Sequence, residues 1–126
     1  MSAFSLDDLK ATLPLKAHRV PVPQFGAGKE AFVAELSMNE REQRVDAWWE
    51  QYKSETKKED TIGFKAWVIA ACLCDSDRNF LCRDAMEVSR TSLEFGKLGT
   101  IGAVLYMKAM EVNSMSAAEA EELEKN

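Results

Sequence analysis

The chain has 126 residues, a net charge of −5, and 46% hydrophobic and 29% charged residues. That length reads as one domain, and that composition as a folded chain rather than a disordered one. The deficit of Lys and Arg argues against nucleic acid as the main ligand, because neutralised phosphates supply most of that affinity.

The opening MSAFSLDDLK lacks the basic region and apolar core of a signal peptide. Ser5-Leu6-Asp7-Asp8 is suited to start a short helix, with serine as cap and acids at the positive end. Leu6, Leu9, Lys10 and Leu13 give that helix one edge, and Pro14 stops it. His18–Pro23 alternates, and its prolines bar it from the middle of a sheet. An edge hairpin is expected, Val20–Phe25 against Ala31–Leu36, turning through Gly26-Ala27-Gly28.

Ser37-Met38-Asn39-Glu40 is a capping box. Val45, Trp48, Trp49 and Tyr52 then recur at helical spacing, which predicts a helix from about Asn39 to Glu55. Glu42, Arg44, Asp46, Glu50 and Lys53 form its expected charged face. Trp48 and Trp49 point about 100° apart on such a helix. They read as packing within the monomer or, alternatively, as an interface, where tryptophan is a frequent anchor.

After the polar stretch Ser54–Asp60 comes Ile62–Cys74, the least polar run of the chain. It falls short of the ~20 residues of a membrane span. A helix apolar most of the way round belongs at the centre of a domain, so this run is expected to be the helix that the others cover. A strand through Trp67-Val68-Ile69 stays open. Asp75–Asn79 follows as a loop, Arg83–Phe95 as a helix, and Ile101, Val104, Leu105, Lys108, Ala109 and Val112 as another, ending near Asn113. Ser116-Ala117-Ala118-Glu119 is a second capping box, opening a terminal helix with an acidic face. The expected fold class is mainly α, a compact helical domain with a small N-terminal β-hairpin. Residues 1–17 would be a short helix and linker, 18–36 the hairpin and 37–126 a helical core.

Chemistry is sparse. Cys72, Cys74 and Cys82 are an odd count, and two thiols sit inside the apolar run. They read as core packing in a reduced, cytoplasmic protein, not as a metal site. His18 is the only histidine, with no nucleophile motif to serve. Gly96, Gly99 and Gly102 match no phosphate-binding fingerprint and read as a helix break or close helix packing. No catalytic, cofactor or metal residues are expected, and no enzyme. Glu111–Asn126 carries five acids and one base, whereas Met1–Lys29 carries four bases and two acids. That asymmetry reads as a solvated helix face or as a basis for head-to-tail self-association.

The order of pieces resembles the tail assembly chaperones of long-tailed phages and prophages. The matching pieces are Val20-Pro21-Val22-Pro23, a glycine turn, Phe32–Ser37, a charged helix with Glu40-Arg41, Ala70–Asp75 running into Asn79-Phe80-Leu81, Ala109–Ser116, and Glu121–Asn126. One departure is the acidic turn, which carries a glycine in that family and reads Asp75-Ser76-Asp77-Arg78-Asn79 here. The resemblance implies a non-enzymatic protein of the host cytoplasm, absent from the finished virion. It would coat the tape measure protein, help recruit tail tube protein and assemble into spirals or rings, without nucleic acid or membrane. Trp49, Tyr52, Met107 and Met110 are the expected contact residues, with Glu119 and Glu122 on the acidic self-association face. The alternative function is a small regulatory adaptor that binds a host protein.

Overall fold

A computed structural model describes residues 3–10, 14–53 and 63–113. Helix α1 is Leu6–Lys10, and Asp8 accepts the Ser5 N–H at 2.8 Å at its start. Leu6, expected on its apolar edge, is exposed.

Strand β1, Ala17–Pro21, pairs antiparallel with β2, Glu30–Ala34, in the register Val20↔Ala31. The first strand thus lies three residues earlier than expected. Pro21 has no N–H to extend the ladder, and Pro23–Phe25 is a 3₁₀ turn. Gly26 (φ 138) and Gly28 (φ 78) complete the reversal in conformations that L-residues rarely adopt.

Helix α2 covers residues 38–53. The capping box forms as expected: Ser37 Oγ accepts the Glu40 N–H at 3.1 Å, and Glu40 Oε1 accepts the Ser37 N–H at 2.8 Å. Its ends, Met38–Glu40 and Trp48–Lys53, are α-helical, but Arg41–Ala47 is π-helical. The Trp48 N–H reaches back five residues to Gln43 O and passes over the Arg44 carbonyl. That carbonyl accepts Trp67 Nε1–H at 2.9 Å.

Arg44 is therefore not on the charged face. It is 4% exposed. Its Nε donates to Ala71 O at 2.8 Å and its Nη2 to Cys82 O at 2.6 Å, while Phe80 lies 3.8 Å from its guanidinium carbon. Burial pushes the Arg44 pKa down from the usual guanidinium range, but guanidinium stays charged in proteins.

The apolar run forms α3, Phe64–Cys72, with every residue buried except Lys65. It occupies the centre as expected, packing against α2, β2 and both later helices. Trp49 meets Phe64 edge-on at 5.2 Å and Trp67 at 5.8 Å, and Tyr52 lies 5.8 Å from Trp67. Such ring pairs add about 0.5–1.5 kcal/mol each beyond area burial.

The fold class differs from expectation. The helix ends two residues early: Leu73 turns extended (φ −62, ψ 134), and Leu73–Cys74 becomes β3. It pairs with β2, Phe32↔Cys74 and Val33↔Leu73, completing a three-stranded antiparallel sheet in the order β1-β2-β3. The protein is thus α+β, not a mainly α domain with only a hairpin, and residues 37–126 are not purely helical. The cause is the open side of β2, which a bare hairpin leaves with unpaired backbone groups.

The Asp75 loop returns the chain. The Asp75 carboxylate accepts the Asp77 and Asn79 N–H groups, each at 2.9 Å. Arg78 takes a left-handed conformation (φ 66), the kind of position glycine usually fills. Helix α4, Ala85–Phe95, opens on Asp84, whose side chain accepts the Glu87 N–H at 2.9 Å. Helix α5, Thr100–Val112, closes on Asn113. Asn113 does more than end the helix: it accepts the Leu36 N–H at 2.7 Å and donates to Ala34 O at 3.2 Å. This ties the last described helix to the end of β2.

Candidate functional site

Helix α5 is apolar over most of its circumference. Ile101, Leu105 and Ala109 are buried, at i, i+4 and i+8, and form the core face. Ala103, Val104 and Met107 lie on the outside, with Val104 44% and Met107 69% exposed. Val104, which shares the helical spacing of Ile101 and Leu105, thus belongs to a second apolar strip. The sequence signal for this strip is the one that marks α3 as central, apolar residues on more than one side of a helix. A helix apolar on two sides has two surfaces to cover, and here the described residues cover one.

A depression borders the strip on each side. One has a volume of about 520 Å³ and lies between α3 and the α4–α5 junction. Gly63, Gly96, Gly99 and Gly102 line it, together with Ala66, Ile69, Phe95, Leu98, Ala103 and Met107. A Cβ on Gly102 would stand 3.4 Å from Leu98 Cβ, an ordinary contact, so a small side chain would reach into this depression without a clash. Gly96 and Gly99 mark the break between α4 and α5, and the glycine series leaves an apolar groove open. Lys65 lies at its rim, 5.5 Å from the Tyr106 ring centre. The other depression, about 370 Å³, lies against β1, lined by Arg19, Val20, Pro21, Val104, Met107, Lys108 and Glu111. Met107 lines both.

The expected contact residues divide. Met107 is exposed at the middle of this surface, and Met110 is half-buried against the core. Trp49 is 5% exposed and belongs to the core, so it offers no contact surface. Its position follows from the ring cluster with Phe64 and Trp67. Tyr52 is half-buried in the same cluster, and Trp48 is the tryptophan at the rim. The structure does not bring Trp49 and Tyr52 together with Met107. Glu119 and Glu122, with the second capping box, lie outside the described residues.

Titratable groups elsewhere do not gather around this surface. Burial pushes the Cys72 thiol up to about 12 and the Cys74 thiol to about 11, and it raises Cys82 as well. All three are buried free thiols, poor nucleophiles in that state. His18 Nε2 sits 2.7 Å from Glu35 Oε1 at the start of β1. On α2, Asp46 Oδ1 and Trp49 Nε1 are buried with no hydrogen-bond partner, and burial raises the Asp46 pKa. Among the described residues no group of three His, Cys, Asp or Glu side chains is placed to hold a metal ion, and no helix is long and apolar enough to cross a membrane.

No protein-family model matches the chain, and no curated protein or solved structure is significantly similar to it.

Proposed function

We propose that this protein is a phage tail assembly chaperone, which covers apolar helix faces of the tape measure protein and helps recruit tail tube protein around it. The observation that carries the reading is the Ala103–Val104–Met107 strip beside the glycine-lined groove. It is an apolar surface of helical dimensions that the described chain leaves uncovered. An exposed apolar strip rimmed by charge is a feature of binding surfaces, and a helix laid in a groove is a common mode of recognition. Methionine at its middle suits a client of varied sequence, because the flexible thioether adapts to different partners. The edges are charged, with Lys65 on one side and Arg19 and Lys108 paired to Glu30 and Glu111 on the other.

The sequence resemblance supplies the identity of the client, the host cytoplasm as the place of action, and the absence from the finished virion. On this reading the protein is not an enzyme and acts as a homo-oligomer, a spiral or ring along the client. Co-expression with the tape measure protein tests it. The client is expected in the soluble fraction with this chain present and in the insoluble fraction without it. An unchanged distribution overturns the proposal.

A further inference from the structure

A third depression, about 630 Å³, lies away from the α5 surface, between α2 and the Asp75 loop. It is lined by Glu40, Arg44, Asp75, Arg78, Phe80 and Arg83. Three arginines in one pocket are unexpected in a chain of net charge −5.

Both acids already accept hydrogen bonds, Glu40 through one oxygen and Asp75 through both. Glu40 Oε1 takes the Ser37 N–H and the Arg78 guanidinium. The two oxygens of Asp75 take the Asp77 N–H, the Asn79 N–H and Asn79 Nδ2. The arginines are not used up. A guanidinium carries five N–H donors. Arg44 spends its Nε and one Nη2 hydrogen on Ala71 O and Cys82 O. Arg78 spends its Nε and Nη2 on Glu35 O and Glu40. Nη1 of each remains. Arg83 is exposed and makes no ion pair among the described residues.

The arginines are also held in place. Arg44 is locked by backbone carbonyls, and Phe80 lies 3.8 Å from its guanidinium carbon and 5.4 Å from that of Arg78. Arg78 keeps a left-handed backbone that costs about 1–2 kcal/mol in a non-glycine residue. A glycine would relieve that strain and lose the guanidinium. Donors fixed in this way bind without first paying ordering entropy.

We propose that this pocket is an oxyanion site whose ligand is a carboxylate, held by the free donors of Arg44 and Arg78 and by Arg83 at the mouth. The charge balance selects among oxyanions. Three arginines against Glu40 and Asp75 leave a surplus of one positive charge, which matches a monoanion. A phosphate dianion would add repulsion from both carboxylates. The planar fork of guanidinium also fits a carboxylate in two-point contact. This site does not depend on the chaperone reading. Its ligand is either a free small carboxylate or the side chain of an acidic protein segment, such as Glu119–Glu124 of a second copy.

Titration of the full chain with acetate, at constant ionic strength and followed by the NMR signals of the arginine Nε–H groups, tests this directly. Arg44 and Arg78 signals should move and saturate. In Arg83→Ala, binding should weaken by about tenfold or more, the range of one charged hydrogen bond. Arg90→Ala, an exposed arginine outside the pocket, should leave it unchanged. A peptide of residues 114–126 forms the second arm. If it moves the same signals at lower concentration than acetate, the source is a protein side chain; if acetate alone does so, the source is a small molecule. A linear, non-saturating response, or equal loss in Arg83→Ala and Arg90→Ala, overturns the site. Tighter binding of phosphate dianion than of acetate overturns the carboxylate assignment.

Discussion

Arg44→Met should be among the most destabilising single substitutions in this protein. Methionine keeps much of the length and volume but donates no hydrogen bonds. Ala71 O and Cys82 O, which Arg44 holds at 2.8 and 2.6 Å, lose their donor inside the fold. Each buried acceptor left unpaired costs about 1–3 kcal/mol. Stacking on Phe80 at 3.8 Å and Trp48 at 5.2 Å adds about 0.5–2 kcal/mol at such sites, and it is lost as well. Against this, methionine no longer buries a charge, whose desolvation costs several kcal/mol. The carbonyls decide the sign, because they stay buried whatever replaces the arginine. A net loss of about 2–4 kcal/mol follows from these terms. Urea unfolding followed by tryptophan fluorescence measures it, with Glu42→Ala on the exposed side of the same helix as a control expected within about 0.5 kcal/mol. A loss for Arg44→Met no larger than that of the control would contradict the role of Arg44 as the tie between α2, α3 and the Cys82 loop.

Further outcomes follow from the same contacts. Asn113→Ala should cost about 1–3 kcal/mol, because Leu36 N–H and Ala34 O lose their partner; hydrogen exchange at Leu36 should quicken, and unchanged exchange contradicts the tie. Burial works against the Glu40 carboxylate, but the Ser37 N–H and Arg78 outweigh it and hold its pKa below the ordinary 4.5. A carboxyl depressed in the folded state stabilises above its unfolded pKa, and that stability is lost as pH falls through the folded value. The advantage of the wild type over Glu40→Gln should therefore be full at pH 7 and shrink on acidification below 4.5, as read from urea midpoints; a constant difference contradicts it. Val104→Glu with Met107→Glu should change stability by less than about 0.5 kcal/mol, since both side chains are exposed; a larger loss would mean that the strip is already packed.

Much of this architecture was legible in the residues. Ser37 and Glu40 announced the start of α2, the glycines and prolines announced the hairpin, and the unbroken apolar run announced the central helix. Three features were not, each for a physical reason. Arg44 follows the charged pattern of an ordinary helix, and only the π-helical turn and the pull of two carbonyls bring it inside. Leu73 and Cys74 continue an apolar run without a breaker, so the switch to a strand comes from the open edge of β2, a tertiary demand that local propensity does not record. Val104 has the spacing of a core residue, and only the packing of Leu105 and Ala109 settles which side of α5 faces inward. For the candidate site, Met107 was legible as an exposed adaptable residue. The groove was not, because glycines state where side chains are missing but not what lies opposite.

The most direct measurement compares three co-expressions with the tape measure protein: wild type, Val104→Glu with Met107→Glu, and a Glu42→Ala control. Soluble client is expected with the wild type and the control, and insoluble client with the doubly substituted strip, although all three chains fold. Equal client solubility with the substituted strip and the wild type would contradict a role for the α5 surface. Insoluble client in all three would contradict the chaperone function itself.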